Sequence, residues 1–251
     1  MKSVLALIEE KKQEFRQSPL IQFLQDKSIS PQQRLAFAPC MAPFVMSFGE
    51  LNKYVWRDET SKDPIQVMIN QHTYEDDGHW VWFLEDMQKL GFNVSLNFND
   101  ALRFLWSDET QVARHTIYQL YQYTHQASPI HKLVVIEAME AMADVFFSIT
   151  TKVTQELNFL TTKEYRYFGI THYTVDSNHS IHSSETEELI STVLLTEDHE
   201  KAALELVTKV FDDFTLMLNA FLKYAQNHTI EKPYKPIIIK ELQMQMQYLQ
   251  V

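Results

Sequence analysis

Glycine is scarce in this chain, with only Gly49, Gly78, Gly91 and Gly169 among 251 residues. Sheet-rich folds and loops that cradle phosphates need glycine wherever the backbone turns tightly or enters the left-handed region. Four glycines point instead to helices joined by few sharp corners. Cysteine is scarcer still: the single Cys40 excludes an internal disulfide and a cysteine zinc site. Its flanking prolines and apolar neighbours mark it as a packing residue rather than a nucleophile. No apolar run approaches the roughly 18 residues that suggest a membrane-spanning helix. Met1-Lys2-Ser3 leads into an amphipathic stretch rich in Glu and Lys, unlike the apolar centre of a signal peptide. A cytoplasmic protein with no membrane partner is therefore expected. Basic residues are also few, 22 against 33 acidic ones, for a formal net charge of −11. That balance repels nucleic-acid backbones and anionic lipid surfaces, so no nucleic-acid partner is expected either.

Hydrophobic residues, at 45% with 12% aromatic, can build a sizeable core. No linker, charge block or low-complexity insert divides them. One domain over residues 1–251 is expected, with 233–251 as a C-terminal tail. Apolar spacing predicts a helix over Val4–Arg16, and Ser18-Pro19 starts a short one to Leu24. Ser30-Pro31 opens another that runs to about Trp56, kinked or split at Pro39 and Pro43. Asp63-Pro64 opens a helix that continues to Leu90 and stops at Gly91. Further helices are predicted from Asn99-Asp100 to about His125 and from Pro129 to about Leu160. Thr161-Thr162-Lys163-Glu164 has the spacing of a capping box, which predicts a helix from Lys163 to about His182. A short helix over Ser184–Leu195 and a long one over Glu197–His228 complete an all-α bundle of roughly eight to ten helices.

Two stretches carry chemistry. In Thr171–His182 the residues His172, Asp176 and His179 stand at i, i+4 and i+7, and at about 100° per residue these share one narrow stripe. The same H-x-x-x-D-x-x-H pattern occurs a hundred residues earlier as His72, Asp76 and His79. Imidazole and carboxylate without thiolate suit iron, manganese or zinc. Two helices that each project such ligands into a bundle interior can hold a pair of metals, with further carboxylates bridging. Glu137 and Glu140 interrupt the otherwise apolar Val134–Met142, and one of them is expected to face the metals. Glu75, at the edge of the first stripe but with a longer reach, competes with Asp76; Asp77 cannot reach without unwinding. Gly78 would allow the turn beside these ligands to widen. Trp80, Phe83, Phe168 and Tyr173 are candidates to line a pocket there.

The motifs H-Y-T-V-D-S-N-H and H-T-Y-E-D-D-G-H-W-V-W-F-L, with a glutamate on a helix between them, resemble the haem-oxygenase-like diiron oxidases and oxygenases. These are relatives of the thiaminase-II (TenA-like) and pyrroloquinoline-quinone synthase groups. The resemblance covers roughly residues 15–225 in helix order and spacing. It implies a single haem-oxygenase-like helical domain in which His172, Asp176 and His179 ligate metal together with His79, Glu75 or Asp76, and Glu137 or Glu140. His72 stands where some members carry glutamate. Two ferrous ions, or manganese, with dioxygen as co-substrate would oxidise a small amine, amino-acid or fatty-acid-like substrate. Haem oxygenase itself is set aside because no histidine precedes His72, and thiaminase II because the chain lacks a mid-chain cysteine nucleophile. A single-zinc hydrolase or metal-binding protein, using one triplet, and a non-catalytic helical interaction module are the alternatives. The amphipathic tail from Pro233 could serve a homodimer.

Overall fold

In a computed structural model, residues 1–93, 95–176, 190 and 192–229 are described. Among them the chain is all-α, with no strand. The helices are α1 (Lys2–Phe15), α2 (Pro19–Gln25), α3 (Pro31–Arg34), α4 (Ala42–Leu51), α5 (Pro64–Asp76) and α6 (Trp80–Leu90). They continue with α7 (Phe98–Leu105), α8 (Gln111–Thr124), α9 (Pro129–Thr161), α10 (Ile170–Asp176) and α11 (Glu197–Asn227). None is long and apolar enough to cross a membrane.

The fold is organised around α9. Ser128 caps its start and Pro129 occupies its first turn, a combination that satisfies one orphan amide and removes another. Apolar side chains then bury nearly all round the helix, from Leu133 to Leu157, as expected of a central rather than a surface helix. Helices α1, α2, α3, α5, α8, α10 and α11 all pack against it. The buried apolar residues of these elements form one cluster, with Phe37, Phe168 and Phe221 among its largest enclosed side chains. Cys40 lies within it, fully buried, and burial pushes its thiol far above the range of a nucleophile.

Several predicted boundaries shift, each for a local reason. The Pro31–Trp56 segment is split as the prolines require, into α3, a 3-10 turn at Ala38–Met41, α4 and a widened π turn at Asn52–Trp56. The predicted helix from Asn99-Asp100 to His125 is two helices, α7 and α8. Arg114 holds them apart in register by donating to the Leu105 and Ser107 carbonyls at the end of α7, at 2.5 and 3.3 Å.

The capping box at Thr161 does not start a helix. The Thr161 hydroxyl donates back to the Leu157 carbonyl at 2.8 Å, and Thr162, at φ 57°, ends α9 in the left-handed region. The next helix begins only at Ile170. Predictions for residues 177–189, including the end of the motif helix and most of the short helix at Ser184–Leu195, lie outside the described residues. So does the tail at 233–251.

The predicted Asp63–Leu90 helix is also broken, between Asp76 and Trp80. Asp63 caps α5 by accepting from the Ile65 and Gln66 amides at 2.8 and 3.2 Å. At the far end the Asp77 side chain is drawn away by the Arg57 guanidinium at 2.8 Å. Arg57 also donates to the Thr73 hydroxyl at 2.9 Å and lies over the Tyr74 ring. Gly78 sits at this break, with open space where a side chain would project. Its low helix propensity favours the interruption, and no neighbour demands a glycine there. Helix α6 then runs to Gly91, which at φ 97° forms its left-handed cap.

Candidate metal centre

Two groups of metal-capable side chains lie side by side where α5, α6, α9 and α10 converge: His72, Asp76 and Glu140, and His79, His172 and Asp176. Within each group the candidate donor atoms lie within 4.8 Å of one another. On α5, His72 and Asp76 face each other one turn apart, Nε2 to Oδ2 at 3.2 Å. From α9, Glu140 approaches the same His72 nitrogen at 3.5 Å. On α10, His172 and Asp176 repeat the one-turn pairing at 3.4 Å. Asp76 joins the groups, because its other oxygen lies 3.6 Å from Nδ1 of His79.

The helix break decides the partnership. On an unbroken helix His79 would share the stripe of His72 and Asp76; at the start of α6 it turns toward α10 instead. Its ring meets that of His172 at 4.4 Å between centroids and stacks on Trp82 at 4.5 Å. The sequence pattern therefore predicts two triplets, one per helix, whereas the structure builds mixed groups. One combines α5 with α9, the other the start of α6 with α10. His179 lies outside the described residues.

The remaining candidates are also placed. Glu75, partly buried on α5, accepts from Gln71 at 3.1 Å and belongs to neither group. Glu137 lines a groove with Glu9, Lys12, Asp144 and Tyr173 that also reaches Glu140 and Asp176 of the two groups. Of the alternatives read in the sequence, Asp76 and Glu140 are the ones that enter the two groups formed by the described residues. Among the predicted pocket residues Trp80 lines the cavity beside the site. Phe83 and Phe168 instead pack on Tyr167 at 5.2 and 5.1 Å between ring centroids.

Charge makes the centre unusual. Three carboxylates converge in a place where His72, Asp76, His79 and His172 are all buried. Burial, then the charges of Glu140 and Asp76, push the Asp176 carboxyl up to about 9. His72 behaves in the complementary way. Burial lowers it, but the Asp76, Glu140 and Glu75 carboxylates more than offset this and raise it to about 9. Divalent cations would relieve the same repulsion without protons. Three imidazoles and three carboxylates, with no thiolate, form a donor set that fits iron, manganese or zinc.

A second tier of contacts aims the ligands. The Nδ1–H of His172 donates to the Tyr167 carbonyl at 2.8 Å, which leaves Nε2 bare toward the centre. The Tyr167 loop is in turn gripped by Asp86 of α6, fully buried, which accepts from the Arg166 and Phe168 amides at 2.9 and 3.0 Å. Burial raises the Asp86 carboxyl, and these amides and the Lys89 ammonium oppose the rise. Gly169 lets the loop turn into α10, because a side chain there would collide with the Tyr165 carbonyl at 2.0 Å. Neither Asp86 nor Tyr167 stands out in the sequence. The only available signal for Asp86 is an acidic residue three positions after Phe83, on the apolar side of an amphipathic helix.

Opening off the centre is a cavity of about 110 Å³. Asp76, His79, Glu140, His172 and Asp176 lie along its wall. The rest of its described lining is mainly aromatic and methionine, including Phe44, Phe146, Phe214 and Met217, with no lysine or arginine. A scan against protein-family models finds none that matches this chain, and a search of curated proteins finds no match.

Proposed function

We propose that this protein is a non-haem diiron enzyme that uses dioxygen to oxidise a small organic substrate. The observation that carries the reading is the pair of adjoining ligand groups, linked through Asp76 and facing an apolar cavity. The resemblance to haem-oxygenase-like diiron oxidases, carried by the same motifs, supports the same reading. His72, Asp76 and Glu140 would hold one ion and His79, His172 and Asp176 the other, with Asp76 positioned to touch both. A ferrous pair, when bound, supplies dioxygen with electrons that no protein side chain can provide.

The chain's own contribution is geometry and exclusion of water. Helices α5, α9 and α10 are locked together by core packing, so the ligands need little reorganisation to bind. The Phe and Met lining keeps the reacting space dry, which strengthens every electrostatic contact inside it. Of the substrates that the resemblance implies, a small amine, an amino acid or a fatty-acid-like molecule, the cavity favours one whose body is apolar. A cationic or zwitterionic group has no described counter-charge there except the ligand carboxylates themselves.

The test is metal analysis after anaerobic loading with ferrous iron. About two irons per chain, followed by a transient visible absorption on mixing with oxygen, is the expected result. A single tightly held zinc that iron cannot displace would transfer the assignment to a hydrolase.

A further inference from the structure

We propose that Asp86 is a positioning residue for His172, acting through the one peptide group that joins Tyr167 to Phe168. That peptide is held at both ends. Its N–H, on Phe168, donates to Asp86 Oδ2 at 3.0 Å, and its C=O, on Tyr167, accepts from His172 Nδ1 at 2.8 Å. The preceding Arg166 amide donates to the other oxygen of Asp86 at 2.9 Å, so the carboxylate fixes the loop at two points. The Arg166 carbonyl in turn accepts the backbone N–H of His172 at 3.1 Å.

A charged acceptor on a peptide N–H shifts electron density toward the carbonyl oxygen of the same amide, making it a better acceptor. The Tyr167 carbonyl therefore favours the tautomer of His172 with hydrogen on Nδ1. The lone pair is left on Nε2, the atom that faces Asp176 at 3.4 Å. Metal-ligating histidines commonly take this support from a carboxylate directly. Here a backbone amide stands between the two. Ring contacts from Phe147 at 4.0 Å and Tyr167 at 4.8 Å confine the imidazole plane but cannot select its tautomer. Glu85, one residue away on α6, reaches the side chains of Arg166 at 3.3 Å and Lys89 at 3.6 Å, and provides a neighbouring control.

The consequence for metal affinity rests on the metal-centre reading, while the tautomer does not. Long-range proton–nitrogen NMR on metal-free protein with labelled histidine reads the tautomer, with His172→Gln assigning the signal. Wild type should show hydrogen on Nδ1 of His172 and a bare Nε2; the opposite tautomer overturns the proposal without need of any variant. Asp86→Asn, which cannot accept from both amides through its side-chain nitrogen, should give a mixed tautomer. It should also weaken cobalt(II) binding by about 10- to 100-fold while the helical circular dichroism persists. Asp86→Ser serves if the asparagine variant does not fold. Glu85→Gln should change neither readout, and Asp86→Asn should cost no further affinity in a His172→Gln background. An unchanged His172 signal in both Asp86 variants overturns the proposal. A tautomer that shifts as expected in a protein with no cobalt affinity would uphold Asp86 and defeat the metal reading.

Discussion

Replacing Asp76 with asparagine should do more damage to metal binding than replacing any other ligand. One of its oxygens lies 3.2 Å from His72 and the other 3.6 Å from His79, so a single side chain serves both groups. The size of the effect follows from linkage. An ion present at a hundred times its dissociation constant stabilises the folded state by about 2.7 kcal/mol, and two such ions by about 5 kcal/mol. For a chain of this size each kcal/mol shifts the melting temperature by about 2–4 °C. Saturating metal should therefore raise the wild-type midpoint by about 10–20 °C. Glu140→Gln and His172→Gln each weaken one group and should retain about half of that rise. Asp76→Asn should retain little of it, because the remaining amide offers one neutral oxygen where a charged carboxylate offered two. Differential scanning calorimetry with manganese(II), and with ferrous iron under anaerobic conditions, measures all four proteins. An Asp76→Asn midpoint that rises as far as the wild type's would refute the linking role.

Further outcomes follow from the same geometry. Metal-free protein should lose stability as the pH rises from about 4 to about 9. Native Asp176 and His72, both raised to about 9, keep protons that the unfolded chain releases near 3.8 and 6.5, so the unfolding free energy falls through this window. Urea melts at several pH values, with and without manganese, should show the decline and its suppression by metal; a metal-free stability that climbs toward pH 9 contradicts it. Gly49→Ala should cost about 1–3 kcal/mol, because the new methyl would lie 2.8 Å from the Asp77 carbonyl, backbone that sits between Asp76 and His79. Gly78→Ala meets open space and should stay within about 1 kcal/mol of wild type, so equal losses at the two positions in denaturation would count against the packing described. Ala143→Phe should fill the cavity and abolish xenon uptake measured by NMR while leaving the metal content unchanged.

Much of the candidate centre was legible because its chemistry is local. His72 with Asp76, and His172 with Asp176, are one-turn pairs, and any helix through them sets imidazole against carboxylate whatever surrounds it. Glu140 was legible as one of two acids in an apolar run, but not as the one that faces inward. Glu137 and Glu140 line the same groove, yet a three-residue difference on α9 brings Glu140 to 3.5 Å from His72, and only the direction from which α5 and α10 approach selects between them. The tie between Glu75 and Asp76 was open for the same reason.

The amino-acid sequence by itself determined the helical class, through glycine scarcity and apolar periodicity, and the types of ligand, through residue chemistry. Tertiary structure decided how those ligands are shared. Arg57 draws Asp77 aside and α5 ends early, so His79 joins His172 rather than His72. Asp86 claims two loop amides, so α10 starts at Ile170 rather than near Lys163. Both outcomes turn on contacts between residues 20 to 82 positions apart, and helical spacing reports only on neighbours within a few turns.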